Sequence, residues 1–239
     1  MVLCQLLAQL RDKRGRITIP GFYEDVQPLS RFERQQFSRF PMSIRKYRET
    51  VGAPGLFGES GFSPFEQRAA RPTIEINGLT SGYQGAGSKT IIPAWASAKL
   101  TFRLVPNQNP AKILRLIQTH LRRLCPKTVT LELSDGHFGE AYFVSPTGVE
   151  AEAALRSLEL AFGCKPILMR EGGSIPIVTE MKKILGADAL LLGLGLPDDN
   201  PHSPNEKFDL DCFEKGMRMS AYLWRELSAA TGAKTRSRK

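Results

Sequence analysis

The sequence predicts two successive regions: a small α+β unit, with an antiparallel sheet carrying helices on one face, followed by an α/β region. Three observations predict this. Ser97 to Val105 alternates with a period of two, placing Ala98, Leu100, Phe102 and Leu104 on one side and Lys99, Thr101 and Arg103 on the other. Ala111 to Leu124 carries Ile113, Leu114, Ile117, Leu121 and Leu124 at helical spacing. Ala189 to Leu194 is apolar throughout, the pattern of a strand covered on both faces.

The elements follow in order. Met1 to Leu10 is helical in pattern, with Leu3, Leu6, Leu7 and Leu10 on one face, and it starts without an N-cap residue. Arg11 to Arg71 is rich in Pro, Gly and charge and reads as short helices and loops. Gly52 to Phe65 is expected to run over the surface. Thr73 to Ile76 alternates like a strand, and Pro106 to Pro110 is a turn leading into the helix Ala111 to Leu124. Thr128 to Leu133 reads as a further strand. Beyond Ser145–Gly148 the spacing predicts helices over Val149 to Phe162 and Pro176 to Leu185. A final amphipathic helix carries Phe213, Met217, Ala221 and Trp224 on one face and is capped by Asp209 or Asp211.

The 239 residues carry a net charge of +9, with 41% hydrophobic and 24% charged residues, as in ordinary globular chains. The longest apolar run is broken by Asp188, Gly193 and Gly195, so no membrane span is expected. No basic leader precedes the first apolar stretch, so a cytoplasmic location is the expectation. The positive charge is interleaved with acids and lacks the aromatic-rich basic strand that stacks bases, which argues against nucleic acid. The four cysteines form no Cys-x-x-Cys pair and read as small buried hydrophobes rather than a zinc ribbon.

Three stretches could carry chemistry. His202 lies in a loop, Gly195 to Asp209, dense in acids and amides. A neutral imidazole there can ligate a metal if Asn205 or Glu206 holds its other nitrogen. Arg170-Glu-Gly-Gly-Ser-Ile-Pro176 places glycines and Ser174 before a helix start that could hold a carboxylate, although a tight turn with a serine cap explains the spacing equally. Gly82 to Pro93 resembles a phosphate loop only superficially, because Ser88 precedes Lys89 and no helix follows. Of the other histidines, His120 reads as a helix-surface residue and His137 as a loop residue.

Taken in order, Gly87-Ser-Lys-Thr-Ile-Ile-Pro93, Lys99 to Gln108, Gly136-His137, Arg170 to Pro176 and His202-Ser-Pro-Asn-Glu206 resemble the di-zinc peptidase family of aminoacylase, carnosine dipeptidases, carboxypeptidase G and succinyl-diaminopimelate desuccinylase. The dipeptidase branch is the nearest resemblance, over residues 72 to 228. It implies an antiparallel-sheet lid (dimerisation) domain over 1–142, the C-terminal part of an α/β zinc-peptidase catalytic domain over 143–232, and a disordered basic tail over 233–239.

The same resemblance implies the site. His202 resembles the last zinc ligand. Arg103 and His137 look like lid groups that bind the substrate carboxylate and the carbonyl oxygen as charge develops on it. Thr90 looks like a lid residue that reaches the neighbouring subunit's site. Gly173 and Ser174 resemble the loop that holds the substrate terminus. Two divalent metal ions, zinc by resemblance, a dipeptide or N-acyl amino acid substrate and a homodimer through the lid follow as expectations.

The chain departs from the family pattern in having no His-x-Asp and no Glu-Glu, motifs that the family carries ahead of the lid. A truncated chain, inactive alone, is therefore expected. The alternative is a non-catalytic dimerisation module without the metal site.

Overall fold

The computed structural model describes residues 1–137, 139–172 and 175–236. Two units result. The first comprises Met1–Ser38, Gly52–Tyr142 and Met169–Thr179; the second comprises Arg39–Val51, Phe143–Leu168 and the chain from Glu180 onward. Residues 170–172 thus belong with the first unit, although they follow Tyr142 in sequence.

In the first unit, α1 (Val2–Ala8) buries Leu6, and Leu10 follows it into the core. β1 (Thr73–Ser81) and β2 (Ala96–Arg103) pair antiparallel, with Thr73 opposite Arg103, Ile74 opposite Phe102 and a bulge between Ile76 and Gly78. α5 (Pro110–Leu124) begins where the Asn109 side chain accepts the Lys112 N–H at 2.9 Å and Pro110 supplies a ready-set φ. Its Ile113, Ile117 and Leu121 join Leu10, Ile17, Ile19, Phe22 and Ile74 in one core, with Leu100, Phe102 and Leu104 packed around it. The expected inward register of β2 is the one observed. Each such side chain, fully buried, contributes about 1.5–3 kcal/mol relative to exposure.

Two short helices of this unit, α2 (Arg31–Ser38) and α4 (Pro64–Ala70), are both started by reciprocal caps. Ser30 N–H donates to Glu33 and Glu33 N–H to Ser30 Oγ; Ser63 and Glu66 repeat the arrangement. Gly52 to Phe65 does not stay on the surface throughout, since Glu59 and Phe65 are buried.

Two further expectations fail in this unit. Among the described residues Thr128 to Leu133 joins no strand ladder. Leu131 and Leu133 pack on the core while Glu132 faces out, so alternation satisfied burial without a strand ladder. His120 is buried, not on the surface. Counting from Ile113, it lies at i+7, beside Ile117 and Leu121 on the apolar stripe of α5, and its charged neighbours in sequence mislead.

The second unit contains α3 (Ile44–Val51), α6 (Val149–Phe162) and α8 (Leu210–Arg236); α7 (Pro176–Leu185) begins in the first unit and ends in the second. α6 packs on α8 through Ala151, Ala153, Ala154 and Ser157, whose small side chains let the helices approach closely. The α8 face turned inward carries Cys212, Gly216 and Met219. The face expected to be buried is the exposed one: Trp224 is 74% and Met217 55% exposed. Asp209 caps α8, accepting the Cys212 N–H at 3.0 Å.

Ala189 to Leu194 is not a strand among the described residues; Leu191 is exposed, and Leu194 lies on Gly216, where a Cβ would stand 2.6 Å from Leu194 Cδ1. α8 continues through Arg236, into the stretch expected to be a tail, and residues 237–239 lie outside the described residues. All four cysteines are free, and Cys4 and Cys164 are exposed rather than buried.

Candidate functional site

β2 ends on Arg103, and strand alternation places its side chain on the solvent face with Lys99 and Thr101. Arg103 Nη1 donates to the Gly172 carbonyl at 2.6 Å. Gly172 adjoins the two expected substrate residues Gly173 and Ser174, which lie outside the described residues. The arginine expected to bind a carboxylate thus already touches the segment leading into the expected substrate loop.

That segment is closely held. A Cβ on Gly172 would stand 1.8 Å from the Arg68 carbonyl oxygen, so the backbone passes where only glycine fits. Arg170 Nε donates to Glu33 Oε1 at 2.6 Å, and Arg170 Nη1 reaches the Gln27 carbonyl at 3.4 Å. Arg68 Nη2 donates to Glu171 Oε2 at 3.0 Å. Burial pushes the Glu33 carboxyl up, but the Ser30 N–H and the Arg170 guanidinium outweigh it and hold the carboxyl below its ordinary value.

Thr90 lies in the long β1–β2 connection and is exposed, as are its neighbours Ile91, Ile92 and Trp95. His137 is exposed beyond the segment packed by Leu131 and Leu133. Among the described residues no side-chain hydrogen bond joins Thr90 or His137 to Arg103. A cavity of about 110 Å³ lies elsewhere in this unit, lined in part by Arg11, Glu59 and Arg71, and contains none of the expected residues.

His202 belongs to the second unit. It is exposed on a turn with φ +64°, between Asn200 and Asn205, which also have positive φ. The hub of this turn is buried Asp199. Its carboxylate accepts the Leu196 N–H at 2.7 Å and Lys207 Nζ at 2.9 Å, while its carbonyl accepts the Lys207 N–H at 3.0 Å. The Lys207 ammonium, then the Leu196 N–H, hold the Asp199 carboxyl below its ordinary value. Glu206 accepts from the His202 backbone N–H at 3.3 Å rather than holding the imidazole. The polar density around His202 therefore builds the turn.

A catalytic zinc needs three protein ligands and a water. Among the described residues no group of three or more His, Cys, Asp or Glu side chains gathers to hold a metal ion, so this donor set does not fit the two-metal centre that the resemblance implies. No helix among these residues is long and apolar enough to cross a membrane.

The sequence reading missed Glu33, Arg68, Arg170 and Glu171 as a set. The signal was present in part: Ser30-x-x-Glu33 and Ser63-x-x-Glu66 are capping boxes, which place both acids at helix starts.

Known proteins resemble this chain over most of its length. Residues 1–129 match the family model of the M20 peptidase dimerisation domain. The Cys-Gly metallodipeptidase of Saccharomyces cerevisiae is 34% identical over 92% of this chain and 47% of its own length. The Beta-Ala-His dipeptidase of Homo sapiens is 26% identical over 95% of this chain and 45% of its own. The solved M20 family metallo-carboxypeptidase of Sulfolobus solfataricus superposes with a TM-score of 0.79 at 29% identity, over 93% of this chain and 51% of that one. The chain spans about half the length of the curated relatives it matches.

Proposed function

The chain belongs to the M20 metallopeptidase family, and from that premise we propose that it supplies the lid and part of the catalytic domain of a metal-dependent dipeptidase or N-acyl-amino-acid amidohydrolase. The observation that carries the reading is the contact of Arg103 with Gly172. A guanidinium on an exposed strand end, beside a glycine-rich segment, can clamp a substrate carboxylate with donors that the Gly172 contact leaves over.

In this reading Arg103 and the Gly173–Ser174 loop hold the carboxylate end of a dipeptide. His137 donates to the carbonyl oxygen as it gains negative charge, and Thr90 reaches a second subunit's site. The family's divalent metals, zinc in this reading, would depend on ligands from a segment bearing His-x-Asp and Glu-Glu, with His202 contributed by this chain. A cytoplasmic location belongs to the same reading.

The test is to fuse a segment bearing the family's His-x-Asp and Glu-Glu motifs ahead of Met1, then assay Cys-Gly hydrolysis and bound metal. Hydrolysis in the fusion, its loss on Arg103→Ala, and none in the 239-residue chain are expected. Full activity of the 239-residue chain alone would place the chemistry elsewhere.

A second reading, a dimerisation module without catalysis, is favoured by the exposed apolar residues of the β1–β2 hairpin. Leu79, Ile91, Ile92 and Trp95 form the kind of surface that a second copy covers. A concentration-dependent dimer in sedimentation, with an inactive fusion, is the outcome it requires.

A further inference from the structure

Three ion pairs in the first unit close a ring. Arg170 donates to Glu33 at 2.6 Å, Arg34 to Glu66 at 2.9 Å, and Arg68 to Glu171 at 3.0 Å. Glu33 and Arg34 are adjacent on α2, Glu66 and Arg68 lie on α4, and Arg170 and Glu171 are adjacent in the segment before Gly172. Each element is therefore tied to both of the others.

Two of the three carboxylates have a second task. Glu33 Oε2 accepts the Ser30 N–H at 2.7 Å while Oε1 takes Arg170; Glu66 Oε2 accepts the Ser63 N–H at 2.7 Å while Oε1 takes Arg34. A helix cap fixes each glutamate, so each arginine meets an oxygen that is already immobile. The Arg170 side chain is only 9% exposed, which makes its contact the least screened of the three.

We propose that this ring makes Glu33 a positioning residue for Arg103. Glu33 fixes Arg170, Arg170 and Glu171 fix the backbone at Gly172, and the Gly172 carbonyl fixes Arg103 Nη1. An arginine at an exposed strand end otherwise samples many rotamers. One anchored nitrogen narrows that range and leaves the other N–H groups for a ligand. The functional consequence rests on the reading of Arg103 as a carboxylate-binding group; the mechanical link does not.

The experiment is dicarbonyl labelling of arginines in the 239-residue chain, with rates read residue by residue by mass spectrometry. Arg45, whose side chain is 85% exposed, serves as the reference, and Arg71, at 11%, reports global opening. Glu33→Gln should speed labelling of Arg170 on the order of tenfold, as expected for loss of one charged hydrogen bond, and of Arg103 several-fold, with Arg45 and Arg71 unchanged. Glu33→Asp should lie between the two.

If Glu33→Gln also exposes Arg71, Glu171→Gln replaces it, because that change leaves both helix caps intact and should still speed Arg103. The swap Arg68→Glu with Glu171→Arg should return Arg103 to its original rate, which a purely steric effect would not do. An unchanged Arg103 rate in both Glu33→Gln and Glu171→Gln overturns the proposal. Adding Cys-Gly dipeptide to the unsubstituted chain tests the other claim separately. Slower labelling at Arg103 supports the carboxylate role, and no slowing counts against that role while leaving the ring result standing.

Discussion

Arg103 and Gly172, 69 residues apart in sequence, meet through an Nη1–H donated to a carbonyl at 2.6 Å. The contact joins the last residue of β2 to a segment in which Gly172 leaves no room for a side chain. An exposed arginine and a glycine are each ordinary; their meeting is what brings two of the sequence's separate motifs together.

Gly172→Ala should disrupt that meeting. The new Cβ would stand 1.8 Å from the Arg68 carbonyl oxygen, a backbone atom that cannot swing away as a side chain tip does. Overpacking of this kind costs about 2 kcal/mol. In a chain of this length that lowers Tm by roughly 5 °C. Differential scanning calorimetry checks it, and an unchanged Tm would mean that the segment has freedom the contact geometry denies.

Glu59 and Arg71 form an enclosed ion pair in the first unit, with side chains 9% and 11% exposed. Two parallel bonds of 2.8 and 2.7 Å join them, and the guanidinium lies over the rings of Phe62 and Tyr23 at 4.4 and 4.9 Å. Removing one partner strands a charge out of water. Glu59→Gln should therefore destabilise by about 3 kcal/mol, whereas Glu59→Gln with Arg71→Met should cost distinctly less. Urea unfolding of the four chains of this cycle gives the coupling, and purely additive losses would contradict it.

His120 predicts a pH dependence. Its ring is buried, Nε2 has no hydrogen-bond partner among the described residues, and Nδ1 lies 3.3 Å from Arg123 Nη2. Burial, then the Arg123 charge, lowers its pKa from 6.5. The unfolded chain therefore takes up this proton before the folded chain does. Stability from the neutral ring is fully present above pH 6.5 and is lost as pH falls below it, through the lowered folded value. Urea midpoints should fall between pH 7 and pH 5 in the wild type. His120→Leu should remove part of that slope; an identical slope would show that other groups cause it.

The same histidine shows how far the sequence could be read. α5, α6 and α7 begin and end within a residue of their expected bounds because their ends carry local chemistry: Asn109–Pro110, Gly148 and Gly163, and Pro176. Local signals did not decide what each helix face meets. Phe213, Met217 and Trp224 read as core on α8, yet α6 offers a surface of alanines and Ser157 that takes the side of Gly216 and Met219. The strands at 128–133 and 189–194 failed for a related reason, since an apolar run reports burial but a ladder needs a partner that the run does not encode. At the site, Arg103 and the 170–172 segment were legible separately, and the ion-pair ring that joins α2, α4 and Glu171 depends on two contacts more than a hundred residues apart in sequence and one 32 apart.

Asp199 yields the last prediction. Its carboxylate accepts from the Leu196 N–H and from Lys207 Nζ, and its carbonyl accepts the Lys207 N–H, so one buried side chain closes both ends of the turn that presents His202. Asn keeps the shape and an acceptor oxygen but loses the charge that Lys207 pairs with. Asp199→Asn should therefore speed amide exchange across residues 196–207 while leaving the Arg103–Gly172 region, in the other unit, unchanged. The folded Asp199 carboxyl titrates below its ordinary value of 3.8, so its contribution is present above that pH and is lost as pH falls through the lower folded value. The two proteins should thus differ in exchange at pH 7 and converge as the acid limit is approached. Should His202 ligate a metal in the fusion with the His-x-Asp segment, Asp199→Asn should also lower metal occupancy, though less than His202→Ala, because it loosens the turn without removing the imidazole. Unaltered exchange at 196–207 would show that the positive-φ residues Asn200, His202 and Asn205 hold the turn without it.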